Sequence, residues 1–127
     1  MNIATTHGIS VLVSVQYQSD TSGNRDGYLF AYRITIQNNS DKNVQLLRRR
    51  WVITDSNGQI RTVEGEGVIG EQPVIGPNGS HTYVSGCDLK STFGSMSGHY
   101  MMEDSSTKEV LFIEIPLFLL EVPWRLN

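Results

Sequence analysis

Ile9-Ser10-Val11-Leu12-Val13-Ser14-Val15-Gln16-Tyr17 is the stretch that decides the fold. Ile9, Val11, Val13, Val15 and Tyr17 fall on one side of an extended chain, with Ser10, Ser14 and Gln16 on the other. Successive side chains of a strand point to opposite faces, so a period of two predicts a strand buried on one face and wetted on the other. The signature returns downstream, where Tyr28, Phe30, Tyr32, Ile34 and Ile36 alternate with Arg33, Thr35 and Gln37. Ser19-Asp20-Thr21-Ser22-Gly23-Asn24-Arg25-Asp26-Gly27 reads as the loop between these strands, and Asn38-Asn39-Ser40-Asp41 ends the second.

Working outward, Val44 to Thr54 reads as a third strand, rich in β-branched and large residues. The turn Asp55-Ser56-Asn57-Gly58 returns it as a fourth strand over Gln59 to Glu64, a hairpin. A glycine-rich segment runs from Gly65 to Gly76, then Pro77-Asn78-Gly79 turns the chain into Ser80 to Cys87, where His81, Tyr83 and Ser85 share a face. A Gly/Ser/Met stretch reaches Met102, and Glu103-Asp104-Ser105-Ser106 leads into Val110 to Leu120, with Leu111, Ile113, Ile115 and Leu117 expected on one face. No window holds the i, i+3, i+4, i+7 spacing of a sustained helix. Residues 1–127 therefore read as one all-β domain, a sandwich of seven or more short antiparallel strands of the immunoglobulin-like kind.

Composition agrees. A chain of 127 residues with 39% apolar and 18% charged residues has the make-up of a globular domain. The net charge of −3 gives no basic excess for nucleic acid or anionic lipid. Val110 to Leu120, the longest apolar stretch, contains Glu114 and Pro116 and cannot span a bilayer, so no membrane insertion is expected. Cys87 is the single cysteine, which excludes an internal disulfide. The opening Met1 to His7 has neither the cationic nor the apolar region of a secretion signal, and a cytoplasmic location is expected.

Gly65-Glu66-Gly67-Val68-Ile69-Gly70 matches G-x-G-x-x-G by letter. In a dinucleotide fold those glycines join a strand to a helix whose N-terminus faces pyrophosphate. Here Pro73 follows three residues after Gly70 and no amphipathic helix ensues, so that reading fails. Two remain: glycines that permit a bulge or a tight crossing, and a loop whose backbone N–H groups form an anion nest. Arg49 is the side chain that could join such a phosphate site, since a guanidinium matches phosphate geometry. On a strand, Arg48 and Arg50 point away from Arg49, and a solvated or edge-protecting strand is the plainer account of all three.

No other constellation is complete. His7, His81 and His99 are far apart, with no H-E-x-x-H or C-x-x-C, so no metal site is expected. Met96 and Met102 read as core fillers and Cys87 as a small buried residue without an activating base. Glu64, Glu66 and Glu71 lack the spacing of a calcium loop. Trp51 reads as core, while Trp124, after Pro123, reads either as an exposed contact anchor or as a tail folded over the sandwich edge.

Taken together, several blocks resemble the ApaG family, also known as the DUF525 domain. They are Phe30-Ala31-Tyr32; Leu46-Leu47 with Arg49 and Trp51; Val63-Glu64-Gly65-Glu66-Gly67-Val68-Ile69-Gly70-Glu71-Gln72-Pro73; Tyr83, Ser85 and Gly86; Gly94-Ser95-Met96-Ser97-Gly98-His99-Tyr100; and Ile115-Pro116. The resemblance implies a fibronectin-type-III-like sandwich, a genetic link to cobalt tolerance and magnesium efflux without an established reaction, and, by analogy with eukaryotic members, binding of other proteins. It also implies a suggested pyrophosphate site at Gly65, Gly67 and Gly70. Arg50 stands where the family usually has an aromatic residue or histidine. The sequence-level expectation is thus a non-catalytic module without a cofactor, with an unidentified protein partner for which Trp124 and Arg50 are contact candidates. A homodimer through edge strands is a further expectation, and a phosphate or pyrophosphate at the Gly65–Gly70 loop beside Arg49 is the alternative function.

Overall fold

The computed structural model describes residues 1–18 and 27–126; all of the expected loop Ser19–Gly27 except its last residue lies outside them. Nine strands follow in order: β1 Asn2–Thr6, β2 Ile9–Gln18, β3 Tyr28–Asn38, β4 Val44–Asp55, β5 Ile60–Glu66, β6 Val74–Ile75, β7 Ser80–Leu89, β8 Phe93–Asp104 and β9 Val110–Glu121. One turn of 3₁₀ helix, Pro123–Leu126, comes last. Every pairing is antiparallel. One sheet has the order β1-β2-β3-β7 and the other β5-β4-β8-β9, with β6 alongside β4. The fold is the expected all-β sandwich. Setting aside the short β1 and β6, three strands face four, and the chain crosses between the sheets after β3, β5 and β7.

The alternating residues of β2 and β3 build the core. Ile9, Val11 and Val13 of β2 and Phe30, Tyr32, Ile34 and Ile36 of β3 are buried against Trp51, Met96, Tyr100, Ile113 and Phe118 of the facing sheet. Tyr32, Trp51 and Phe118 pack as a trio with ring centroids 5.5–5.8 Å apart. Met96, Tyr100 and Met102 point inward from β8, so the Gly/Ser/Met stretch is a full strand of the larger sheet.

Two register shifts change which residues face inward. On β4, Leu46 pairs with Met102 but Arg48 pairs with Met101, so Leu47 is an extra residue. On β9, Ile115 pairs with Gly98 and Phe118 with Met96, so Pro116 and Leu117 together face one residue of β8. A bulge of this kind reverses the alternation beyond it. Leu117, expected on the buried face with Ile115, is accordingly 56% exposed, and Phe118 and Leu120 take the interior instead. β4 lies between β5 and β8, so its arginines protect no edge.

The two long sides of the sandwich differ. Along one, β9 lies against β1, where the amide of Glu114 donates to Thr6 Oγ1 and Asn2 donates to the carbonyl of Leu117. Along the other, β5 and β7 face each other across a cleft.

Candidate functional site

The bulge at Leu47 places Arg49. Before it, Val44 and Leu46 face the core; after it, Arg49, Trp51 and Ile53 take the inward side while Arg48 and Arg50 face out. Arg49 enters the gap between the sheets at the β5–β7 edge. Two adjoining hollows there, of about 220 and 260 Å³, share Arg49, Tyr32, Trp51 and Ser85 in their walls.

The glycine block is built around that arginine and that bulge. Gly65 lies opposite Arg49 in the β4–β5 ladder, and a Cβ on it would stand 2.8 Å from Nη1 of the guanidinium. Nη1 donates to the carbonyl oxygens of Glu66 (3.0 Å) and Gly67 (2.9 Å). Gly67 has φ +61°, and a Cβ there would come within 2.1 Å of the Glu71 carbonyl oxygen, so only glycine fits. Val68 and Glu71 exchange both backbone hydrogen bonds around Ile69 (φ 46°) and Gly70 (φ 74°), the pattern of a type I′ turn. The Leu47 carbonyl, released by the bulge, accepts from the Gly67 amide and from Gln72 Nε2, while the Leu46 amide donates to the Pro73 carbonyl. The block is a clasp over an irregular strand, and β6 follows it, not a helix.

Of the sequence-read phosphate residues, the structure brings Gly65, Gly67 and Arg49 into contact and sets Gly70 on the rim of the same 220 Å³ hollow. The amides of Gly67, Val68 and Glu71 are engaged within the clasp. The polar residues lining the hollow are Arg49, Ser85, Tyr32, Tyr83 and Glu66, the last with its carboxylate 4.0 Å from Arg48. Tyr83 and Tyr100 share a hydrogen bond of 2.5 Å between their hydroxyls. Burial raises the pKa of Tyr32, Tyr83 and Tyr100 above the ordinary phenol range, so all three remain neutral. At the far end of the cleft, Arg61 reaches from β5 to β7, 3.4 Å from the Asp88 carboxylate and also donating to the Asp88 carbonyl. Cys87, 3.6 Å from Arg61 Nη2, has its thiol pushed up to about 11 by burial and stays protonated.

The outer face of β5-β4-β8-β9 is a second surface. Arg50 Nε lies 2.9 Å from Glu64 Oε1 and Arg48 lies 4.0 Å from Glu66, so both outward arginines are paired across to β5. Beside them Met101 and His99 lead to Phe112, with His99 and Phe112 edge to face at 5.6 Å. Along β9, Val110, Phe112, Leu117 and Leu119 are each between 46% and 57% exposed. Trp124 combines both sequence readings: it is 54% exposed, yet its ring packs at 5.3 Å on Tyr17 and 6.2 Å on Tyr28. Among the described residues no group of three or more His, Cys, Asp or Glu could hold a metal ion, and no helix is long and apolar enough to cross a membrane.

Sequence reasoning did not single out the cleft's Tyr32, Ser85 and Tyr83 as one wall, nor the exposed side of β9. The signals were the neighbouring apolar pairs Leu46-Leu47 and Ile115-Pro116, each a break in strict alternation that marks a bulge.

Two antiparallel sheets, closed along one side and cleft along the other, define a β-sandwich of the immunoglobulin-like class. A family model described as the ApaG domain, DUF525, matches residues 18–104. "Protein ApaG" of Brucella suis biovar 1 is 48% identical over 128 residues, covering 97% of this chain and 95% of its own. An X-ray structure from a structural genomics consortium is 41% identical with a TM-score of 0.85, covering 91% of this chain and 88% of its own. A Bordetella pertussis crystal structure described as ApaA is 35% identical with a TM-score of 0.82, covering 91% and 94%. The chain belongs to the ApaG family.

Proposed function

We propose that this chain is a non-catalytic protein-interaction module whose partner docks on the outer face of the β5-β4-β8-β9 sheet. The observation that supports this most is the water-facing side of β9. A sheet face left to solvent is ordinarily polar, yet Val110, Phe112, Leu117 and Leu119 stand there half exposed with Met101 beside them. Exposed apolar strips fringed by charge are typical of contact surfaces, and Arg50–Glu64 and Arg48–Glu66 supply that fringe. A role in cobalt tolerance or magnesium efflux would run through this cytoplasmic partner, with no ion held by the module itself. Replacing Phe112→Ser and Leu119→Lys together tests the reading. Both side chains are exposed, so the urea midpoint should shift by no more than about 1 kcal/mol in stability, while co-purification of the partner from native extract should be lost. Undiminished recovery of the same partner by a folded double variant would count against it.

A further inference from the structure

We propose that the cleft between β5 and β7 receives a single carboxylate carried on a small apolar body, with Arg49 as its charge partner. The cleft and the outer sheet face lie on opposite sides of β4, so this site is independent of the docking surface.

The charge balance around the arginines carries the proposal. Arg48, Arg50 and Arg61 each have a carboxylate within reach, Glu66 at 4.0 Å, Glu64 at 2.9 Å and Asp88 at 3.4 Å. Arg49 is the one turned inward, and among the described residues no ion pair joins it to a carboxylate. Its neighbours there are the carbonyls of Glu66 and Gly67, which occupy Nη1. Carbonyl dipoles orient a guanidinium but do not neutralise it, and a half-buried charge without a counter-charge is unfavourable. Nε and Nη2 remain, the side-on pair that can meet both oxygens of a carboxylate. Ser85 and the neutral phenol of Tyr83 line the same hollow and can add hydrogen bonds.

The rest of the wall selects among anions. Trp51, Tyr32, Val68 and Ile69 are apolar surfaces suited to a hydrocarbon or aromatic body. Arg61 is already paired with Asp88, so one uncompensated positive charge is on offer. The Gly67, Val68 and Glu71 amides that would cradle a diphosphate are engaged in the clasp, and a chain of net charge −3 gives no long-range attraction for a multiply charged anion. A monoanion with an apolar tail fits these terms better than pyrophosphate. The hollow that Arg49 shares with Tyr83, about 220 Å³, lies below the ~300–1,000 Å³ of sites for drug-sized ligands, a size suited to a small acid or the last residue of a peptide.

Titration of isotope-labelled protein with 3-phenylpropanoate, with pyrophosphate, and with an acetylated Ala-Phe dipeptide in free-acid and amidated forms tests this by NMR. Saturable shifts of the Arg49 side-chain Nε–H and of the Ser85 and Gly67 amides are expected with phenylpropanoate and not with pyrophosphate. Shifts with the free-acid dipeptide but not its amide would identify a chain terminus as a ligand source; silence of both, with phenylpropanoate bound, would identify a small free acid. Arg49→Gln should weaken binding by roughly tenfold or more, the scale of a lost charged hydrogen-bonding partner. Because Arg49 also braces the clasp, Ser85→Val, which leaves Arg49 in place and narrows the hollow, should weaken binding too. Saturation by pyrophosphate in place of the acid, no shifts with any acid, or unchanged binding in both variants would overturn the proposal.

Discussion

Ile69 holds a backbone angle that β-branched residues rarely adopt, φ 46°, at the first central position of its turn, with 61% of its surface exposed. The turn type favours Asn-Gly, so Ile69→Asn should raise stability by about 1 kcal/mol in urea unfolding. Gly67→Ala should do the opposite and lower it by roughly 2–4 kcal/mol, since both the positive φ and the Glu71 carbonyl oppose a Cβ. A Gly67→Ala variant as stable as the parent would show that the clasp is not rigid. The letters of this block were plain in the sequence, but their use was not. G-x-G-x-x-G states where side chains are missing; whether the freed space admits a phosphate, a turn or the arginine of the next strand depends on a partner sixteen residues upstream in the ladder, Arg49 beside Gly65.

Among elements, the passage from β3 to β4 rests on one amide. Asn38 is fully buried; its Oδ1 accepts from the Ser40 amide (2.9 Å) and hydroxyl (2.6 Å), while Nδ2 donates to the carbonyls of Lys42 (2.7 Å) and Ile75 (2.9 Å). It thereby fixes the crossing between sheets and the position of β6. Asn38→Ala would strand the buried Ile75 carbonyl and remove the donor to the part-buried Lys42 carbonyl, and a loss of about 2–4 kcal/mol is expected in thermal or urea unfolding. A loss well under 1 kcal/mol would mean that water replaces the amide. In the sequence Asn38 read only as the end of a strand, because loop composition marks where a chain turns but not which side chain braces the turn. The long alternating strands β2 and β3 were legible for the converse reason: their pattern repeats over enough residues to outweigh local exceptions. β1 was missed because five residues carry too little periodicity.

For the whole molecule, two buried carboxylates set the response to acid. At Asp104 the Ser106 amide and hydroxyl hold the pKa below the ordinary carboxylate value. At Asp55 burial acts the other way, but hydrogen bonds from the Ser91 hydroxyl and the Lys90 amide outweigh it and the pKa is again lowered. A group whose folded pKa is depressed binds fewer protons folded than unfolded, so its contribution is complete above the unfolded pKa and is lost as pH falls through the folded one. Stability should therefore be flat from about pH 7 to 5 and drop below about pH 4, and Asp104→Asn should flatten that drop. Urea midpoints across the range check it; an unchanged acid slope in Asp104→Asn would contradict it. At this scale the sandwich was readable from alternation alone, whereas the cleft was not, since it exists only once β5 and β7 are set edge to edge by opposite sheets.

The supernumerary residue at Pro116–Leu117 also works as a phase counter. Upstream of it odd-numbered side chains of β9 turn inward, downstream even-numbered ones do, and the C-terminal third of the strand is seated only because that count is right. Phase at this spot is therefore a matter of chain length: the same residues run as an unbroken strand would turn Phe118 and Leu120 outward and Leu117 and Leu119 inward in a single step, whereas removing Pro116 along with the bulge would leave Phe118 and Leu120 seated opposite the same residues of β8.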